Sequence, residues 1–555
     1  MKNKRILALA TALLIGATAL STLASCGRRK KADYDPTKAN LMVATFSGGV
    51  GTAWLEEAAV RFEEKYADAT HFQKGRTGVN IAVDGNKDTY GGKSLSTSAL
   101  TQDVYFTEGI EYYKFVNQGK VADISDVVTG KLTTYGEDKT IESKLDPAIQ
   151  TYLKSANNND GKYYMLPFYD GFYGLIYDVE LFENKGFYFD ENGYFLKKTV
   201  ANANTFESKK SAGPNGRKGD YDDGLPATYD QMIQLVAQIR SSSCIPFCYS
   251  GSIFDYVDKA CRAFIADYEG YEGFKMNFTF NGTAKVVDSI SADGKTVTTK
   301  EVQITPKNAY ELAGQAGRYY ALYMQDQLFG DIKNVGMSWN SDGYIIAQGN
   351  YISSKHTDTP YAFLAEGVWW ENEAESSFNA VEGMYGEKKS DRRFGFLPMP
   401  KANQSIVDQQ QGQTLYASNS SFCFVNAKCE NMELAKEFIR FLHTDAEMSK
   451  FSAKTSIPRS LNYEVSAEDR KTATNFGKTL IDLRADAKVV YPYSSVSLIN
   501  DNPDDFTESM WFLTTDGGAN SPFSAFKDDK MTASQYFKGF YTYQKKKWEA
   551  KKWNV

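Results

Sequence analysis

Residues 161–182 read Gly-Lys-Tyr-Tyr-Met-Leu-Pro-Phe-Tyr-Asp-Gly-Phe-Tyr-Gly-Leu-Ile-Tyr-Asp-Val-Glu-Leu-Phe, and they constrain the fold more than any other stretch. Asp160-Gly161 is a tight-turn dipeptide. Tyr163 to Leu166 suit a strand. Pro167 has no N–H to give a ladder, so regular pairing stops there. A second apolar run follows from Phe172 to Tyr177. Two strands are therefore joined by a kinked aromatic link that carries Asp170. Two arrangements satisfy this pattern. One is an ordinary β-hairpin inside a single domain. The other is a link that passes between two lobes and lines the gap between them.

At 555 residues the chain is too long for one small core, and two or more domains are expected. A net charge of −6 gives no basic character that would point to nucleic acid. With 36 Tyr, 35 Phe and 7 Trp the chain is rich in rings, which suit sugar faces and also simply pack cores. His71, His356 and His443 lie far apart and form no H-x-x-x-H pattern, so a histidine metal site is not expected. There is no G-x-S-x-G elbow, H-E-x-x-H or Walker motif. Carboxylates are plentiful, so a glycosidase-like acid pair stays open on sequence grounds.

The N-terminus begins with Lys2, Lys4 and Arg5, followed by an apolar run from Ile6 to Leu20 that is short for a bilayer span. Leu23-Ala24-Ser25-Cys26-Gly27 then resembles the lipobox of bacterial lipoproteins. That resemblance implies a signal peptide over 1–25 and a diacylated Cys26. Residues 26–39 would form a lipidated tether, placing the protein on the outer face of a membrane. The alternative is a plain secretory signal with an incidental cysteine. Each buried acyl CH₂ is worth about 0.8 kcal/mol to such an anchor.

Leu41 to Ser47 read as a buried strand, and Gly48-Gly49-Val50-Gly51 leads into a helix over Thr52–Tyr66. Trp54, in its first turn, is either a ligand contact or a core anchor. Asn80–Val83 and Asp103–Thr107 read as further strands. Residues 186–225 form an insertion whose Gly-rich end crowds Asn215, Asp220, Asp222 and Asp223. Hard cations need such oxygen density, though a solvated acidic turn has the same composition. Thr228 is a natural N-cap with Gln231 at the capping-box position. Residues 276–305 alternate with Asn281-Gly282 and Asp293-Gly294 turns and predict a hairpin. Tyr361 to Gly367 predicts a strand that opens into Trp369-Trp370-Glu371. Asn431–Leu442 is an amphipathic helix. Cys244, Cys248, Cys261, Cys423 and Cys429 are expected as buried thiols, with no firm disulfide.

Several of these runs together resemble the extracellular solute-binding proteins of ABC transporters, in the carbohydrate-binding group that includes maltose-binding protein. They are Tyr164-x-x-Pro167 with Gly174-Leu-Ile-Tyr-Asp, Pro226-Ala-Thr228, Gly367-Val-Trp-Trp, the Ala435-Lys-Glu-Phe helix and Ser456-Ile-Pro-Arg459. The resemblance covers about residues 40–515. It implies a two-lobed α/β periplasmic-binding-protein-like fold (type II) with discontinuous lobes, each a sheet flanked by helices. Lobe 1 would hold residues 40–168 and 397–447, and lobe 2 residues 169–396 and 448–555. Its implied function is capture of an extracellular carbohydrate, an oligosaccharide, in the interlobe cleft, for delivery by a monomer to membrane permease subunits. The implied contacts are Trp54, Tyr169, Asp170, Trp369, Trp370, Glu371, Arg459 and Trp511. Adjacent tryptophans cannot both face one way, so one of Trp369 and Trp370 is expected in the cleft and one in the core. No catalytic residue and no required cofactor are implied. Some larger family members carry a calcium loop before the same Pro-x-Thr start, which makes Asn215, Asp220, Asp222 and Asp223 candidates for a structural Ca²⁺. Here Gly213 stands where that loop's first Asp would be. The rivals are a secreted, lipid-anchored glycoside hydrolase and a receptor of the same fold for a peptide or metal.

Overall fold

A computed structural model describes residues 34–550 apart from 87–94, 96, 254, 336–342, 419–420, 501–520 and 528–530. Residues 1–25, expected as a signal peptide, and Cys26 and Trp511 lie outside the described residues.

Two sheets organise the chain. The first contains β1 (Ala39–Ala44), β2 (Val79–Asp84), β3 (Val104–Glu108), β4 (Leu166–Pro167) and β14 (Ser421–Val425), in the order β2-β1-β3-β14-β4. The second contains β5 (Tyr173–Asp178), β8 (Ile245–Cys248), β11 (Tyr361–Gly367) and β12 (Phe394–Phe396), in the order β12-β5-β11-β8. β1 pairs in parallel with β2, Leu41 opposite Ile81, and with β3, Val43 opposite Val104. Parallel neighbours need a crossover. The helix Ala53–Lys65 supplies it, burying Trp54, Leu55, Ala58, Ala59 and Phe62 on one face. The late strand β14 returns antiparallel to β3, Cys423 opposite Phe106.

The link at 168–172 passes from one sheet to the other, so residues 161–178 are not a hairpin. The strand expected from Tyr163 shrinks to Leu166–Pro167. Pro167 lies on the sheet edge opposite Phe422, where a missing N–H leaves no ladder bond unmade.

The expected hairpin over 276–305 begins later. Helix Asp255–Thr279 occupies its first residues, because Phe274 and Phe278 recur at helical spacing and are both buried. Asn281-Gly282 joins that helix to β9 (Gly282–Ile290), which pairs with β10 (Val297–Ile304) around Asp293-Gly294. Short strands β6 (Tyr188–Phe189) and β7 (Phe195–Leu196) pair in the insertion, and β13 (Thr414–Tyr416) pairs in parallel with β15 (Lys488–Val490).

Two apolar cores form, one running from the first sheet to one face of the second through Ile176, Leu364 and Phe396, the other on the second sheet's opposite face. Val43, Phe62, Phe106 and Phe438 are buried against the first, and Phe247, Met324, Phe329 and Phe363 against the second. Burying one such side chain stabilises the fold by about 2 kcal/mol. Helix Asn475–Asp486 packs on the second sheet, with Phe476 and Phe396 rings 6.3 Å apart. The helix Ala533–Ala550 packs on Gln315–Phe329 through Phe537 and Tyr319, 5.3 Å apart. All five cysteines from Cys244 onward are free thiols, and only Cys429 is not fully buried.

Candidate functional site

β3 ends in Glu108-Gly109 and β11 ends in Glu366-Gly367. In open α/β sheets ligands bind beyond the carboxyl ends of the strands. These two strand ends bring carboxylates from both sheets together. Tyr169, on the link, donates its hydroxyl hydrogen to the Glu108 carboxylate. Glu373, on the turn of helix after β11, lies close enough for the charge of Glu108 to raise its pKa.

Glu366 and Glu373 both face the side chain of Gln348. Its Nε2 donates to Glu366 Oε2 at 3.3 Å and to Glu373 Oε2 at 2.9 Å. Burial is the main force on both acids. It raises Glu366 well above the carboxylate range, with Glu373 adding to the effect. It pushes Glu373 up to about 7. Near neutral pH the site therefore presents both O–H donors and carboxylate acceptors.

Rings wall this acidic group. Trp369 meets Tyr173 edge-on at 4.8 Å, and Tyr173 lies 5.6 Å from Tyr256. The Trp369 indole lies against Gly367, and a Cβ there would collide with the ring. Lys259 Nζ stands 5.1 Å over the Tyr173 ring. Flat apolar faces beside hydrogen-bonding carboxyls suit a polyhydroxylated ring, which has C–H faces and an O–H rim.

The described candidates read from sequence fall in four places. Tyr169 and Trp369 belong to this group. Trp370 points the other way and is fully buried among Tyr351, Phe378, Phe394 and Phe476. Glu371 is buried beside it and accepts from Ser456 Oγ at 3.0 Å and Thr474 Oγ1 at 2.8 Å. Burial raises its pKa. Asp170 is fully buried and accepts from Arg484 Nε at 2.8 Å, tying the link to helix Asn475–Asp486. Trp54 and Arg459 lie in the first core against Phe168 and Phe451.

Glu108, Tyr173, Tyr256, Gln348, Glu366 and Glu373 were not singled out from sequence. One signal could have found two of them, since both Glu108 and Glu366 close an apolar strand immediately before a glycine. The others reach the site only through tertiary folding.

A separate acidic group lies in the insertion. Carboxylate oxygens of Asp220, Asp222 and Asp223 lie within 4.8 Å of one another. Asn215 donates its backbone N–H to Asp222 Oδ2 at 2.9 Å and its Nδ2 to Asp220 Oδ2 at 2.8 Å. Gly213 has φ +62°, and any Cβ there would meet the Asp222 carbonyl. Burial pushes Asp222 up to about 9, with Asp220 and Asp223 adding to it. Asp222 Oδ1 and Asp223 Oδ1 are buried without a hydrogen-bond partner. Orphaned oxygens on a hard-donor cluster fit a calcium-sized cation.

The model of the bacterial extracellular solute-binding protein family matches residues 53–238. A probable secreted solute-binding lipoprotein from Streptomyces coelicolor superposes with a TM-score of 0.51 at 12% identity, covering 92% of this chain and 99% of that one. RafE from Streptococcus pneumoniae gives 0.48 at 14% identity, covering 90% and 100%. The maltose-maltodextrin binding protein of Alicyclobacillus acidocaldarius gives 0.47 at 13%, covering 91% and 100%. No curated protein matches the chain in sequence. Residues 53–238 are similar to the bacterial extracellular solute-binding protein family, and the chain shares the two-lobed α/β fold of the Streptomyces coelicolor protein.

Proposed function

We propose that this chain is the substrate-binding lipoprotein of an ABC importer, and that it captures an extracellular oligosaccharide between its two sheets. One observation carries the reading. Glu108 from the first sheet and Glu366 and Glu373 from the second converge beside Trp369 and Tyr173. A sugar bound there touches both lobes at once. Such a ligand favours the closed arrangement, because only closure completes its contacts. The closed face is then what permease subunits recognise. Cys26 would carry the lipid that holds the protein at the membrane's outer face. Among the described residues no helix is long and apolar enough to cross a membrane. A calcium ion at Asp220, Asp222 and Asp223 would brace the insertion without touching the cleft.

A glycoside hydrolase is the competing reading, favoured by the neighbouring carboxyls of Glu366 and Glu373. A thermal-shift screen against mono- and oligosaccharides, peptides and calcium separates the cases. The receptor reading expects a rise with one glycan class and the glycan recovered whole. Fragments in the recovered glycan would mean an enzyme, and a rise with peptides alone would mean a different ligand class.

A further inference from the structure

Arg459 is 1% exposed in the first core, and among the described residues no carboxylate lies within ion-pair reach of it. Its guanidinium stands over the rings of Phe168 and Phe451, 5.5 and 5.2 Å from their centroids. Nη2 donates to His443 Nε2 at 2.9 Å. His443 gives its Nδ1–H to the Ile439 carbonyl at 2.7 Å, so its ring is neutral and offsets no charge. Arg459 Nε and Nη1 are buried with no partner. Burying a cation without a counter-charge is strongly unfavourable.

A third orphan donor lies close by. Trp54 Nε1 is buried and has no partner. Its ring packs on the same two phenylalanines, 5.5 Å from Phe168 and 4.9 Å from Phe451. Trp54 and Arg459 line one small cavity together with Phe451, Arg61, Lys450 and Lys454. Its two acids are already taken. Glu447 binds Arg61 at 2.6 Å and Glu57 binds Lys454 at 2.6 Å. Lys450 faces Asp469 at 3.4 Å, so the charge left unmatched is that of Arg459. The space suits one particle of about water size. A water could accept two bonds there but would leave the charge unmatched.

We infer that this cavity binds a small monovalent anion of chloride size, held by Arg459 Nε and Nη1 and by Trp54 Nε1. All three groups donate only, as anion recognition requires. Phe168 separates the site from Tyr169 of the acidic cleft group, their rings 5.1 Å apart, and the site adjoins the link, because Asp170 N–H donates to the Pro458 carbonyl at 2.9 Å. The anion fastens helix Ala53–Lys65 to the segment that carries Arg459.

The test melts the full chain in sodium chloride and in sodium gluconate at equal ionic strength. Chloride raises Tm saturably and gluconate does not. Trp54→Phe keeps a ring but removes the N–H, and raises the half-saturating chloride at least about tenfold, the loss of one hydrogen bond to a charged group. A crystal soaked in bromide gives an anomalous peak against Arg459 Nε and Nη1. Equal melting in the two salts overturns the inference. So does an unchanged chloride response in Trp54→Phe, or a water in the cavity with bromide only elsewhere.

Discussion

Glu366 and Glu373 share one amide: Gln348 Nε2 donates to both carboxyls, at 3.3 and 2.9 Å. Among the described residues neither acid has a cationic partner; Glu373 makes Glu366 harder to ionise, and Glu108 does the same to Glu373. They titrate as a pair. Stability therefore depends on pH in a direction opposite to that of an ordinary salt-bridged acid.

Glu373 is raised by burial from the ordinary 4.5 to about 7. The folded chain thus holds a proton that the unfolded chain has lost between those values. The part of the stability that this group governs falls as pH rises through this window, and the still higher Glu366 and Asp222 carry the fall further. Glu373→Gln carries no proton to lose and flattens the profile there. Tm measured from pH 4 to 8 on both proteins checks this, and parallel profiles would refute it.

The two adjacent tryptophans separate binding from stability. Trp370→Ala empties a fully buried ring site and costs about 3–5 kcal/mol of stability. Trp369→Ala removes the ring beside Tyr173 and lowers ligand affinity about tenfold or more, with a smaller loss of stability. Urea unfolding and calorimetric titration of both variants give the comparison.

Asp170 is the link's only described ion-pair partner for Arg484, at 2.8 Å. Asp170→Asn leaves that guanidinium without its anion and costs about 2 kcal/mol. The midpoint of urea unfolding of the unliganded protein reads this directly.

Calcium uptake at the insertion would release a proton, because Asp222 is held up to about 9 and is protonated before the ion arrives. The heat of calcium binding at pH 7 then varies with the ionisation enthalpy of the buffer. Asp222→Asn removes both the proton release and the rise in Tm. A heat independent of buffer would count against Asp222 as a ligand.

Much of the fold was legible because local signals agreed with the tertiary result. Pro167 with the two flanking apolar runs marks the passage between sheets, and Leu55, Ala58, Ala59 and Phe62 mark a helix face that is buried as expected. The hairpin boundary is not legible in the sequence, because Asn281-Gly282 is a turn signal wherever it falls, and here it follows a helix. The site was less legible. Trp370 and Glu371 follow a strand end like Trp369, yet the chain turns into a helix there and carries them into the core. Glu108 and Glu373 are 265 positions apart, and no spacing rule connects them. Arg459 looks like a surface ligand hook by residue type, and only its neighbours show it to be a buried cation.

The most direct test of the central claim is calorimetric titration of the unlabelled chain and of Trp369→Ala with the glycan class that raises Tm. The account predicts saturable binding of intact oligosaccharide by the wild type and a loss of about tenfold or more in the variant. Equal affinity in the two proteins would contradict it, because the sugar would then bind away from the acids and rings gathered between the sheets.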